Sequence, residues 1–166
     1  MNEKELNNLL RNRARQLGLC DQWYNDWGSK ETKQQLIEKY LHGIDFCIKN
    51  DYPKKEFIKA YFPKNLLAEK GIFLDEKIAH TNLCTAVLLG ESDGELKYDG
   101  YSVGKIYVRH QSVVKVNACD RARVFVECYD GTKVDAVATD DARIFVYQHG
   151  GIVRNTSGNV FVRDRR

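Results

Sequence analysis

Four short segments of the sequence place a polar or basic residue, a β-branched residue, an aromatic residue and a valine in succession. They are Lys105-Ile106-Tyr107-Val108, Arg123-Val124-Phe125-Val126, Arg143-Ile144-Phe145-Val146 and Asn159-Val160-Phe161-Val162. Arginine carries a permanent charge and a planar fork of donors, and an aromatic ring supplies a stacking face. Repeated side by side, the two make a surface suited to an acidic protein segment, an anionic small molecule or nucleic acid. The candidate binding residues are a basic column, Lys105, Arg123 and Arg143, beside an aromatic column, Tyr107, Phe125, Phe145 and Phe161. Arg109, Tyr129, Tyr147, His149 and Arg163 lie close by in the pattern. The competing reading is that the chain's own helices or a sister subunit cover the rings, with the arginine stems lying along the rim.

Other chemistries find less in the sequence. Asp120, Asp130 and Asp140 recur every ten residues, but successive corners of such a repeat fall on opposite edges. The Gly-Gly-x-Gly-x-Asp spacing of calcium-binding β-rolls is missing. Their expected work is to cap turn N–H groups. His42 with Cys47, His80 with Cys84 and His110 with Cys119 are near in sequence, yet none has zinc-ligand spacing with a second pair beside it. There is no phosphate loop, dinucleotide fingerprint, nucleophile elbow or H-E-x-x-H. The expectation is a protein that is not an enzyme, with no catalytic residues, no cofactor and no metal. Five scattered cysteines, Cys20, Cys47, Cys84, Cys119 and Cys128, never occur as C-x-x-C, which fits a reducing cytoplasm better than a disulfide framework.

The elements that must carry these residues follow from periodicity. From about Ala86 the apolar period is two. Leu96, Ile106, Val116, Val126, Ala136 and Val146 recur every ten residues, beside Val114, Val124, Val134 and Ile144 and a third column of Val108, Ala118, Cys128 and Ala138. Gly100, His110, Asp120, Asp130, Asp140 and Gly150 occupy turn positions at the same interval. Two strands and two corners make a coil. The four aromatic motifs begin at Lys105, Arg123, Arg143 and Asn159, and every interval between them is even, which keeps the inward parity. The expected fold of this half is a parallel β-solenoid of about four two-strand coils, filled by small apolar side chains. An antiparallel β meander or sandwich is the alternative, since it too gives period two with regular turns. The second sheet would show Glu95, Lys115, Asp135 and Asn155 up one column, with Lys97, Asn117 and Ser157 nearby. Alternating charge there reads as plain solvated surface.

The segment Ala118 to Asp141, with Ala-Cys-Asp-Arg-Ala-Arg-Val-Phe-Val and Ala-Thr-Asp-Asp-Ala-Arg-Ile-Phe-Val, resembles the decapeptide arrays of the type Ala-x-Asp-x-Ala-x-Val-x-Val. Those arrays belong to bacterial and phage small proteins of unassigned function. The resemblance covers roughly Ala86 to Arg166 and implies a β-solenoid, with a place among phage- or prophage-associated proteins. Gln148 and Arg154 fall at inward columns and depart from the pattern in the last coil.

The segment 1–78 reads as helical. Leu6, Leu9, Leu10 and Leu17 share one face of a helix closed by Gly18. A second helix is expected after Ser29, carrying Leu36, Ile37, Tyr40, Leu41, Ile44 and Ile48, and a third from Pro53, carrying Phe57, Ile58 and Tyr61. A short turn, Leu66 to Lys70, stops at Gly71. Trp23, Tyr24 and Trp27 crowd the first connection as an aromatic cluster, either core or partner-facing. The expected organisation is thus α+β: a helical capping or docking module over 1–78, then a β-solenoid repeat domain over 79–166.

Composition bounds the partners. With 26 Lys+Arg against 23 Asp+Glu the net charge is +3, too balanced for a dedicated polyanion binder. No apolar run approaches a membrane span, and Met1 to Glu5 is polar. The expected role is a structural or interaction protein whose partner is a protein or a sister subunit. An anionic ligand or nucleic acid is the second possibility, and incorporation into a phage particle is compatible with the resemblance.

Overall fold

The computed structural model describes all residues, Met1–Arg166. It comprises two compact units, Met1–Lys70 and Gly71–Arg166. The first is helical. α1 (Glu3–Gln16) opens with a capping box between Asn2 and Glu5 and buries Leu6, Asn7, Leu10 and Ala14. Leu17, placed on the buried face by its spacing, is instead the C-cap and 46 % exposed. The helix ends in a Schellman motif: Gly18 (φ 96°) takes the left-handed position, its N–H reaching Arg15 O and that of Leu19 reaching Ala14 O.

The aromatic connection is itself helical, α2 (Asp21–Asp26). Trp27 Nε1 donates to the fully buried Asn7, whose amide donates to Gly28 O at 2.9 Å. Trp23 packs edge-on against His42 and stays 40 % exposed. The expected second helix is two. α3 (Lys33–His42) starts at the Thr32–Gln35 capping box rather than after Ser29, and α4 (Ile44–Asn50) follows a break at Gly43. α5 (Lys55–Tyr61) starts two residues beyond Pro53, and α6 (Lys64–Glu69) follows Pro63. No helix is long and apolar enough to cross a membrane.

The second unit is a parallel β-solenoid. β1 (Ile72–Leu74), β3 (Thr85–Leu89), β5 (Val103–Val108), β7 (Arg123–Cys128), β9 (Arg143–Gln148) and β11 (Val160–Asp164) form a six-stranded sheet. β2 (Lys77–Thr81), β4 (Asp93–Tyr98), β6 (Val113–Ala118), β8 (Lys133–Ala138) and β10 (Ile152–Gly158) form a five-stranded one. Every neighbouring pair is parallel, which excludes the antiparallel meander. Four coils, β3–β4 to β9–β10, carry the decapeptide period, flanked by β1 and β2 at one end and β11 at the other. The strands begin at Ile72, ahead of the boundary expected between 78 and 79. Ile72, Phe73 and Leu74 are all buried, so this strand lacks the period-two pattern that marks β4, β6, β7 and β8.

The core is the predicted one. Val114, Val116, Val124, Val126, Val134, Ala136, Ile144 and Val146 are all fully buried. One large residue is accommodated by a glycine. The ring of Tyr98 lies where a Cβ on Gly104 would fall, and its hydroxyl donates to Leu83 O. At one edge the corners are lined by buried Ser92, Ser112 and Thr132 at intervals of twenty. The Ser112 hydroxyl donates to Gly90 O and accepts from Ser92 N, so corner backbone groups are satisfied without water.

Candidate interaction face

Parallel in-register coils set each residue over its counterpart in the next coil, so the outward columns can be read from the strand register. Phe125, Phe145 and Phe161 are aligned. Their rings stack at 5.3 Å and 13°, then at 5.4 Å and 19°. Arg123 lies beside Arg143. The columns differ from the sequence reading at β5. Lys105 aligns with Phe125, and Tyr107 with Glu127. The reason is that β5 meets β7 with Val103 on Arg123, a coil two residues longer than the interval from Lys105 to Arg123 that separates their motifs. Lys105 therefore heads the phenylalanine column. The second column is Tyr107, Glu127, Tyr147 and Arg163, and Val103 heads the arginine column. The intervals between the later motifs match the register.

The named side chains are not equally available. Tyr107 is 8 % exposed. Arg109 is held at a corner, its Nε 2.9 Å from Asp130 Oδ2 and its guanidinium 5.2 Å from the Tyr129 ring. Arg123 Nη1 donates to Arg121 O, Ala122 O and Asp141 O, which places its charge against carbonyl dipoles and relieves its proximity to Arg143. Tyr147 lies under Arg165, 5.4 Å away. Lys105 and Arg143 stay exposed, as does Arg163, and none of the three forms an ion pair. The surface that remains is a half-buried stack of phenylalanine edges rimmed by Lys105, Arg143 and Arg163.

A network beside this face went unread in the sequence. His149 stacks on Tyr129 at 4.4 Å and 5°, and its Nε2 lies 2.5 Å from Glu127 Oε2. The twenty-residue spacing of Tyr129 and His149 was the available signal. The aspartates act as expected: Asp120 accepts from Gly100 N, Asp130 from His110 N and Asp140 from Asp120 N. Each relieves a left-handed corner one coil away. Cys119 Sγ and the carboxylates of Asp120 and Asp140 come within 4.8 Å of one another, although both carboxylates already hold corner amides. Desolvation, with Asp120, Asp99 and Asp140 nearby, pushes the Cys119 thiol up. Burial pushes Cys128 up to about 11. Neither is an activated thiolate.

The opposite face alternates the sign of its charges. Glu95, Lys115 and Asp135 align. The column then meets a bulge between Val153 and Thr156 in β10. That bulge turns Arg154 outward from its nominally inward position, giving a bidentate contact to Asp135 at 3.1 and 2.6 Å. Gln148, the other misfit, donates to Gly151 O. Desolvation opposes ionisation of Asp135, but hydrogen bonds from Arg154 and Asn155 outweigh it and hold the carboxyl below its ordinary range. A shallow groove of about 300 Å³ lies on this side, lined in part by Thr81, Lys97, Asp99, Asn117 and Cys119. No family model, curated protein or solved structure matches the chain.

Proposed function

We propose that this is a non-enzymatic interaction protein that presents the outer face of its six-stranded sheet to an acidic segment of a protein partner. The observation that carries the reading is the stacked Phe125–Phe145–Phe161 column rimmed by cations that have no carboxylate of their own chain to answer them. Apolar edges flanked by unanswered charge suit a chain segment that alternates apolar and acidic side chains. The raised thiols of Cys119 and Cys128 argue only against those two cysteines as nucleophiles. The resemblance of Ala118 to Asp141 to decapeptide arrays supports a phage- or prophage-associated setting.

The second reading, capture of an anionic ligand or single-stranded nucleic acid, draws on the same cations. Sequence-tolerant nucleic-acid binding uses open ring faces. Here the rings face each other at 5.3 and 5.4 Å, whereas a base between them needs about 7 Å, two van der Waals thicknesses. The test is a titration with an alternating Glu/Leu peptide and with a single-stranded oligonucleotide, across salt, for the wild type and for Lys105→Glu with Arg143→Glu. Peptide binding that weakens with salt and is lost in the double variant is the expected result. Peptide binding that is indifferent to salt and to both substitutions overturns the reading. Oligonucleotide binding with a steep salt slope and no peptide binding transfers the face to the second reading.

A further inference from the structure

We propose that the free edge of β11 pairs antiparallel with β11 of a second copy, joining two solenoids end to end through a two-fold axis. This surface is the sheet edge; it shares Phe161 and Arg163 with the outer face, but its backbone pairing requires no ligand there. β11 hydrogen-bonds on one side only, to β9. The consequence shows in the side chains. Val162 occupies the inward column of Val146, yet Val146 is fully buried and Val162 is 43 % exposed, with Phe161 46 % exposed beside it. The strand is regular from Val160 to Asp164, and Arg165 N continues the ladder to Gln148 O. A regular, unpaired edge that exposes Phe161 and Val162 is a template for another strand.

The geometry selects the occupant. The opposite edge of the same sheet, β1, has Ile72, Phe73 and Leu74 each 2 % exposed. It cannot receive β11 of another copy, so head-to-tail stacking into a filament is blocked and a closed two-fold contact remains. End-to-end contact about a two-fold axis makes the meeting strands antiparallel. β10, the other strand at this end, is disrupted by its bulge between Val153 and Thr156. Its Arg154 side chain and Asn155 N–H are engaged by Asp135. A bulged edge is a poor pairing partner, so β11 is left to meet its own copy.

Parity and charge then fix the register. Inward residues must face inward residues across the axis, so the axis passes through a residue position. Centring on Arg163 or Asp164 sets like charges directly opposite. Centring on Phe161 brings Asp164 against Gly158, whose φ of 76° already lies in the corner. Centring on Val162 pairs every residue of the strand and puts Phe161 against Arg163 of the second copy twice, a cation over each ring.

The experiment measures mass by light scattering and native mass spectrometry on the full chain, then cross-linking of Val162→Cys under mild oxidation. Directly opposed antiparallel residues have Cα atoms about 4.5–5.5 Å apart, within disulfide reach. The expected results are the mass of two chains and rapid cross-linking of Val162→Cys. Val160→Cys, whose copies lie four residues out of register, should cross-link no faster than the wild-type background set by exposed Cys20 and Cys84. Arg163→Glu, at an exposed position that leaves the coil intact by circular dichroism, should weaken the dimer at least ten-fold. A monomer at tens of micromolar overturns the proposal. So does a dimer that Arg163→Glu leaves unchanged, or one that cross-links at Phe161→Cys but not at Val162→Cys.

Discussion

The two outward faces of the solenoid solve one problem in opposite ways. In a parallel in-register stack every residue meets its counterpart about 4.8 Å away, so a charged position repeats against itself unless the sequence intervenes. The five-stranded sheet alternates sign through Glu95, Lys115 and Asp135 and closes the column with Arg154. The six-stranded sheet repeats itself, ring on ring at Phe125, Phe145 and Phe161 and arginine beside arginine at Arg123 and Arg143. Repetition is favourable for rings, whose offset stacking adds to burial, and unfavourable for cations. Arg123 is relieved by backbone carbonyls. Arg143 is not, and its charge is the one that the proposed acidic partner would answer.

Both faces rest on one core, and the severest way to break the comparison is to uncouple them there. Tyr98 reaches from β4 in the five-stranded sheet to Gly104 in β5 of the six-stranded sheet. Gly104→Ala drives a Cβ into that ring, and a ring cannot yield as a flexible chain end would. The expected cost is near the upper end of about 1–3 kcal/mol in urea unfolding. Tyr98→Leu should relieve much of it when combined with Gly104→Ala. A Gly104→Ala protein as stable as the wild type would mean that the ring does not tie the sheets.

The repeating face is tested next. Phe145 stacks on both Phe125 and Phe161, whereas Phe125 has Phe145 on one side and Lys105 on the other. Phe145→Ala should cost about 1–2 kcal/mol and Phe125→Ala about half of that, since each aromatic contact contributes about 0.5–1.5 kcal/mol beyond burial. Equal losses in thermal unfolding would show that burial of each ring, not stacking, holds the column.

How much of this was legible depended on periodicity. Val114 to Val146 declared the strands because even parity survives every corner, and Asp120, Asp130 and Asp140 declared the corners because a left-handed turn favours a short acceptor. The columns were legible only where motif and coil have equal length. Between β7 and β9 they agree, Arg123 pairing with Arg143. Between β5 and β7 the motif recurs two residues sooner than the hydrogen-bonded coil, so Lys105 and Tyr107 were assigned to neighbouring columns. β1 was hidden because a strand buried on every residue has no alternation. The bulge in β10 was flagged by Arg154 at an inward position but not located, since its partner Asp135 lies a whole coil away. In the helical unit the break at Gly43 escaped because the apolar spacing of Ile37, Ile44 and Ile48 runs through it.

The sign-alternating face should be less sensitive and should depend on pH. Asp135→Asn removes the carboxylate that holds Arg154, with an expected loss of about 0.5–1 kcal/mol for a pair of this exposure. The folded-state pKa of Asp135 lies below its ordinary 3.8. The contribution is therefore present in full above that ordinary value and is lost as the pH falls through the depressed folded one. Chemical denaturation of the two proteins from neutral pH downward should show the difference closing in acid. A gap that widens on acidification would mean that Asp135 is not stabilised as the carboxylate.

The smallest effect sharpens the contrast by improving the repeating face. Lys105 sits in register with Phe125 at the head of the ring column, exposed and without a carboxylate partner. Lys105→Phe would add a fourth ring to the stack at no loss of an ion pair, and phenylalanine suits a strand better than lysine. The expected gain is about 0.5 kcal/mol, read as a small rise in the unfolding midpoint. The same change removes one of three unanswered cations from the rim. If the face is built for an acidic partner, the variant should be more stable and bind the Glu/Leu peptide less well. A variant that gains stability with peptide affinity unchanged would assign the rings to packing and leave recognition to Arg143 and Arg163.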